Sequence, residues 1–206
     1  MWVRWPGLVG AIAAPAISIF GQLIAMMTWP GYDPVAQTIS ELAAGDAPTQ
    51  FWVELIFCGT GCGFLLTSLF TPAIAKPGRV LLFVGGLAFF GVAAFPLETM
   101  AASSSAGHKI SAMIGFIALA AWPLVGMRRD ARYPWALRPL ASLAVTAVMA
   151  VCCFWFLGVW SNPELGYVGL TERLAAGLEA VWPLVVVLTL WGSPQREGAS
   201  IGVRQL

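Results

Sequence analysis

Ser40 and Glu41 stand side by side in TISEL, residues 38–42, and Glu98 closes FPLE, residues 95–98. The single histidine, His108, follows, while Glu172, Arg173 and Glu179 share the stretch GLTERLAAGLEAVWPL, residues 169–184. These residue types suit three kinds of chemistry. A serine beside a histidine is a nucleophile with its base, and Ser40 or the run Ser103, Ser104 and Ser105 could take the first role. No recognisable nucleophile turn surrounds any of them, and a serine run ahead of a helix ordinarily supplies a cap. His108 with Glu98 and Glu41 is the one set with the donor types of a metal site. Carboxylates gathered at one end of a molecule also favour a cationic ligand.

Counting removes several classes. One histidine excludes a haem held by two histidines of one chain, and a three-histidine zinc site. It disfavours the membrane ceramidase-like hydrolases, which depend on several histidines. There is no Gly-rich phosphate loop followed by Lys-Ser or Lys-Thr, so an ATP-driven pump within this chain is not expected. Cys58 and Cys62 are four apart and Cys152 and Cys153 are adjacent, and neither is the C-x-x-C of a disulfide oxidoreductase. All four read as small buried apolar residues, inert in such surroundings. We assign no metal, no cofactor and no nucleic-acid partner, and the oligomeric state stays open.

The elements that must position these residues are set by composition. Hydrophobic residues make up 59% of the 206 and charged ones 10%, with a mean hydropathy of +0.80, far outside the soluble range. Runs of roughly 20 apolar residues, the length that crosses a ~30 Å hydrocarbon core, fall at about 8–28, 51–71, 79–97, 108–127, 139–160 and 173–191. With no water there, each backbone amide must be bonded within its own segment, so each run predicts a helix. Prolines inside some runs are tolerated in a bundle. The expected fold is all-α: a polytopic membrane protein, a single domain over 1–206, built as a bundle of six transmembrane helices. The first run is too long for a signal peptide's core and no small-residue cleavage site follows it, so it reads as a retained helix.

Basic residues set the expected orientation. Arg4, Lys76, Arg79, Arg128, Arg129, Arg132, Arg138, Arg196 and Arg204 fall on one side of six spans, and only Lys109 and Arg173 on the other. Both termini are therefore expected in the cytoplasm, with the protein in a cytoplasmic (inner) membrane. Asp33, Glu41, Asp46, Glu54, Glu98, Glu164, Glu172 and Glu179 map to the outer half, leaving Asp130 and Glu197 inside. Arginine outnumbers lysine, and Ala and Gly are abundant, a composition compatible with a bacterial source. The basic loop MRRDARYPWALR, residues 127–138, reads as an ordinary inside loop, with anionic lipid headgroups as the other reading. AAWPLV at 120–125 and AVWPLV at 180–185 lie in helices of the same direction, which raises a parallel repeat that six residues cannot separate from chance.

The first outer loop should carry a short amphipathic helix. Asp33 suits its N-cap, Pro34 its first position and Gly45 its stop. Val35, Ile39 and Leu42 recur on one face and Gln37, Ser40 and Glu41 on the other. Two readings stay open: a solvated helix that merely caps the bundle, or one that turns polar groups toward it.

TISEL after a first hydrophobic run, FPLE followed by His108, and GLTERLAAGLEAVWPL together resemble the bacterial and archaeal membrane proteins grouped as domain of unknown function 998. The resemblance covers nearly the whole chain in the right order. Glu98 stands where an Asp is usual in that pattern, which keeps the carboxylate and lengthens its reach. The resemblance implies a multi-pass membrane protein and supplies no activity.

The motifs converge on one end of the bundle. Glu179 lies two turns after Glu172 on the same helix face, about 10 Å away. Glu54 sits one turn into the second span on a stripe with Cys58, Gly61 and Cys62, whose small residues permit close helix approach. Gln22 extends a stripe through Ser18, and Ser111 lies one turn after His108. The leading expectation is an outer polar pocket for a small polar or cationic solute or a lipid headgroup, bound or transported. Glu41, Glu98 and Glu172 would supply charge, Ser40 and His108 hydrogen bonds, and Arg173 would orient the carboxylates over Glu179 as floor. Two alternatives compete: a membrane-embedded enzyme with His108 as acid or base, and a structural network without a ligand, in which Arg173 simply neutralises Glu41, Glu98 or Glu172.

Overall fold

A computed structural model describes residues 2–101 and 105–193. The sequence positions Ser103, Ser104, Arg196, Glu197 and Arg204 lie outside those residues. Six long helices follow one another: α1 (Trp5–Met27), α3 (Gln50–Phe70), α4 (Lys76–Ala94), α5 (Ala106–Gly126), α6 (Pro139–Trp160) and α7 (Val168–Trp191). A single helical turn, α2 (Ile39–Leu42), lies between α1 and α3. All six long helices are long and apolar enough to cross a membrane. Prolines in the first turns of α1, α4 and α6 cost no hydrogen bond, because the first N–H groups of a helix have no partner within it.

Most boundaries fall within three residues of those expected. The exception is α7, which begins at Val168 rather than 173, so Glu172 and Arg173 occupy its second turn instead of opening it. Gly166 ends the 3-10 turn Pro163–Leu165 in the left-handed conformation (φ +72°), and Tyr167 follows as the residue before α7.

The helices pack as a closed ring in the order α1, α3, α4, α5, α6, α7, with α7 returning to α1. Small residues bring the backbones together. A Cβ on Gly10 of α1 would lie 2.5 Å from the Gly63 carbonyl of α3, and one on Gly61 would lie 2.7 Å from the Gly86 carbonyl of α4. Gly61 of the small stripe read on α3 therefore faces α4. Only 11% of the apolar window of α6 is buried, against 28–44% for the others, so α6 stands on the outside of the ring. Trp122 and Pro123 of α5 and Pro183 of α7 are buried, which places both Trp-Pro pairs against the inner packing of the ring.

The two ends differ in charge as expected. At the basic end the arginines hold carbonyls at the end of α3 and in the loops, groups that have no partner within a helix. Arg79 Nε donates to the Ser68 carbonyl (2.7 Å), Arg128 Nε to Ala73 (2.7 Å) and Arg138 Nη2 to Ala131 (2.6 Å). Trp2 stacks on Tyr133 with ring centroids 5.6 Å apart. The 127–138 loop thus spends Arg128 and Arg138 on its own end of the bundle, and Arg132 pairs with Asp130 at 3.0 Å.

The predicted loop helix divides in two. Asp33 Oδ1 accepts from the Val35 N–H (2.8 Å) and caps only a turn. The helix proper starts again at Thr38, whose hydroxyl accepts from the Glu41 N–H while Glu41 reaches back to the Thr38 N–H. A continuous helix would use the Gln37 carbonyl internally. Here that carbonyl accepts from Tyr32 Oη (3.0 Å) and Arg173 Nη1 (2.8 Å), which breaks the run.

Candidate functional site

At the acidic end, α2 lies across the ring and is held from two helices. From α7, Glu172 Oε2 accepts the Ile39 N–H at 2.5 Å, and the Leu170 N–H donates to the Val35 carbonyl at 3.0 Å. From α5, His108 meets Ser40, with Nε2 3.0 Å from Oγ. Ile39 and Leu42 turn downward, 4% and 0% exposed, and pack on Ala25, Val53 and Phe57. Val35 belongs to the separate turn and is exposed, so the expected apolar face does not run through it. Of the two readings of this helix, the second describes the geometry: it turns Ser40 inward.

The histidine is fixed in one tautomer by its other partner. Nδ1 lies 2.9 Å from the Phe95 carbonyl, which can only accept, so Nδ1 carries the hydrogen. In the neutral ring Nε2 then presents a lone pair, and Ser40 Oγ donates to it.

Beneath α2 a cavity opens among five of the six long helices. Ser18 and Gln22 line it from α1, Ser111 from α5, and Glu172 and Glu179 from α7, with Ile39 and Ser40 above. Phe57, Phe89 and Phe116 give it an apolar wall. Gln22 Nε2 donates to Ser18 Oγ at 3.1 Å. Glu172 and Glu179 are 6% and 2% exposed and face the same cavity, as their two-turn spacing requires. Cys153 Sγ donates to Glu179 Oε1 at 3.4 Å. Among the described residues neither carboxylate has a Lys or Arg within ion-pair distance; the ion pair there, Arg132–Asp130, is at the other end.

Ser40, Glu172 and Glu179 therefore line one cavity, His108 joins them through Ser40, and three expected members are placed otherwise. Arg173 does not orient the carboxylates. It sits next to Glu172 on α7, turned about 100° around the helix. That aims it at the loop, where Nη1 donates to the carbonyls of Pro34 (2.9 Å), Gln37 (2.8 Å) and Gly169 (3.0 Å). Its guanidinium also stacks over Tyr32, 5.5 Å from the ring centre, and donates to the Tyr32 hydroxyl. Glu41 is consumed by the capping box and does not line the cavity. Glu98 is exposed, and its side chain has no hydrogen-bond partner among the described residues. His108, Glu98 and Glu41 do not converge on a common point, and among the described residues no group of three His, Cys, Asp or Glu is placed to hold a metal ion. Glu54 accepts from Gln50 Nε2 (3.0 Å) in a separate groove with Phe51 and Phe90.

Other members were not legible as such. Tyr32 holds the loop through the carbonyls of Gln37 and Thr38 (2.7 Å) as well as Arg173. Burial pushes its phenol up to about 12, against the opposing pull of Arg173. The Phe95 carbonyl that fixes His108 belongs to FPLE, so that motif takes part through its backbone rather than its carboxylate. Cys153 is a hydrogen-bond donor rather than apolar filler, and Cys62 is exposed rather than buried. Gly169 is needed for contact: a Cβ there would collide with the Gln37 carbonyl.

Six apolar helices of spanning length, packed as a ring with a largely apolar cavity that also takes in a few buried polar groups, define a multi-pass membrane protein of the helical-bundle class. The model of the family described as protein of unknown function (DUF998) matches residues 12–189, and the chain belongs to that family. No curated protein and no solved structure matches the chain.

Proposed function

We propose that the cavity binds a small organic cation reached from the outer face of a bacterial cytoplasmic membrane, with α2 as its cover and the basic end in the cytoplasm. The observation that carries this reading is the pair of buried carboxylates, Glu172 and Glu179, on one cavity, neither with a Lys or Arg within ion-pair distance among the described residues. A carboxylate deep in an apolar slab is costly to leave without a counter-charge. A cationic ligand supplies that charge. The phenylalanine wall supports an ammonium group with apolar substituents, since ring faces attract cations in desolvated sites. Gln22, Ser18 and Ser111 add neutral hydrogen-bonding groups that orient the ligand. A lipid headgroup amine meets the same requirements and belongs to the same chemistry.

Native mass spectrometry of the protein released gently from lipid tests this. The expected result is a cationic mass retained by the wild type and by Glu41→Ala, and lost from Glu179→Gln. Bare protein throughout, with only the thermal midpoints altered, would assign the carboxylates to helix packing instead.

A further inference from the structure

We infer that Ser40 and His108 form a nucleophile–base pair that hydrolyses a small ester seated in the cavity. This rests on the cavity being a ligand site, and adds a reaction to it. Three features converge. Ser40 Oγ lies 3.0 Å from His108 Nε2, within reach for proton transfer. The Phe95 carbonyl, 2.9 Å from Nδ1, holds the ring so that Nε2 is the basic nitrogen. Ser40 is half-buried and is one of the residues that line the cavity, which puts the pair beside the space where a substrate would sit.

The reaction balances with water alone. Ser40 Oγ bonds to the acyl carbon as its proton passes to Nε2. The tetrahedral adduct then collapses, the bond to the alcohol oxygen breaks, and the alcohol leaves with that proton. Water adds to the acyl carbon of the Ser40 ester and gives a proton to Nε2. Ser40 Oγ departs, recovering the proton, and the carboxylic acid is released. Ester and water become acid and alcohol.

The third member of this arrangement is a carbonyl, not a carboxylate. Phe95 therefore orients the imidazole and stabilises a positive ring less than an aspartate would. Glu98, three residues on, is exposed and does not take that part. The substrate class follows from the walls: a short-chain ester with its cationic group toward Glu172 and Glu179 and its apolar part against Phe57, Phe89 and Phe116.

Diisopropyl fluorophosphate, which a base-activated serine attacks with loss of fluoride, is the probe. Protein in lipid nanodiscs is treated beside Ser40→Ala and His108→Gln, adducts are mapped by peptide mass, and p-nitrophenyl acetate turnover is followed in parallel. The expected result is one adduct on Ser40 of the wild type, absent from Ser40→Ala and slowed about 10²–10⁴-fold in His108→Gln, in keeping with loss of a general base. His108→Gln keeps a hydrogen-bonding side chain, so a mere tie between α2 and α5 would leave labelling unchanged, and that result overturns the inference. Should either variant fail to fold, the wild type decides alone: no adduct at Ser40 rejects the pair. Native mass spectra of the same wild-type sample separate the two proposals. A retained cation without a Ser40 adduct rejects the hydrolytic pair only, and an adduct without any retained cation rejects the cationic ligand only.

Discussion

The main-chain N–H of Ile39 and the carboxylate of Glu172 meet at 2.5 Å although 133 residues separate them in the chain. One oxygen thus ties the cover to α7, and the same side chain lines the cavity beneath it. A carboxylate has two oxygens and several lone pairs, so a group below can share this side chain with the tie above. Glu172→Ala leaves a buried N–H without an acceptor and is expected to cost about 1–3 kcal/mol. Hydrogen exchange at Ile39 should accelerate by a matching factor, while Glu172→Gln, which keeps an acceptor oxygen, should recover most of the protection.

Arg173 holds three carbonyls and an aromatic face at once. Lysine offers a single point charge and no planar fork. Arg173→Lys is therefore expected to lower stability by about 1–3 kcal/mol. Limited proteolysis should find the 32–38 segment cut sooner, and equal cutting rates would show that the clamp contributes little.

Much of this molecule was legible because the bilayer leaves few choices. Run length and hydropathy alone locate six helices, since nothing else satisfies the backbone in hydrocarbon. The loop was harder. Asp33-Pro34 is a good helix start and Thr38-x-x-Glu41 is also a capping box, and local rules do not rank two starts five residues apart. The decision comes from Tyr32 and Arg173, which draw off the Gln37 carbonyl from outside the segment. The geometry of the candidate site was legible where periodicity governs, as for Glu172 and Glu179 on one face of α7. It was misread for Arg173, Glu41 and Glu98, because charge suggests pairing with charge, whereas in this fold each carries out a local task or faces outward.

The Thr38–Glu41 capping box predicts a coupled pair. Thr38→Ala and Glu41→Ala should each cost about 1 kcal/mol, as loss of an N-cap commonly does. The double variant should cost clearly less than the sum, because each partner's bond depends on the other being placed. Chemical-denaturation midpoints of the four proteins decide it, and strict additivity would separate the two groups.

Tyr32 gives the loop an alkaline limit. Its phenol ionises near 10.0 when exposed and only at about 12 in the fold. The neutral form is favoured in the folded state, so its stabilising contribution is complete below pH 10 and is lost as pH rises toward 12. Melting temperature should fall over that window in the wild type. The fall should be shallower in Tyr32→Phe, which has no proton to release.

Gly10 is set against the α3 backbone, where an added Cβ would stand 2.5 Å from the Gly63 carbonyl. Gly10→Ala is expected to push α1 and α3 apart and cost about 1–3 kcal/mol. Gly158, with open space around its Cβ position on the outside of α6, should accept alanine with little change or a small gain. Thermal unfolding of both variants in one lipid composition makes the comparison.

The arginines of the basic end carry a further consequence. Whichever face of the membrane they occupy, Arg79 and Arg128 are part of how α3 and its following loop terminate, not freely placed charges. Basic residues in and beside the loops generally bias the direction of insertion, and here such residues also hold the carbonyls that finish the fold. Moving them to the opposite loops to invert the molecule would strand carbonyls at one end while adding charge at the other. Orientation and completeness are inherited together, and a variant bred for reversed topology would need new ends for its helices before it could tolerate its new direction.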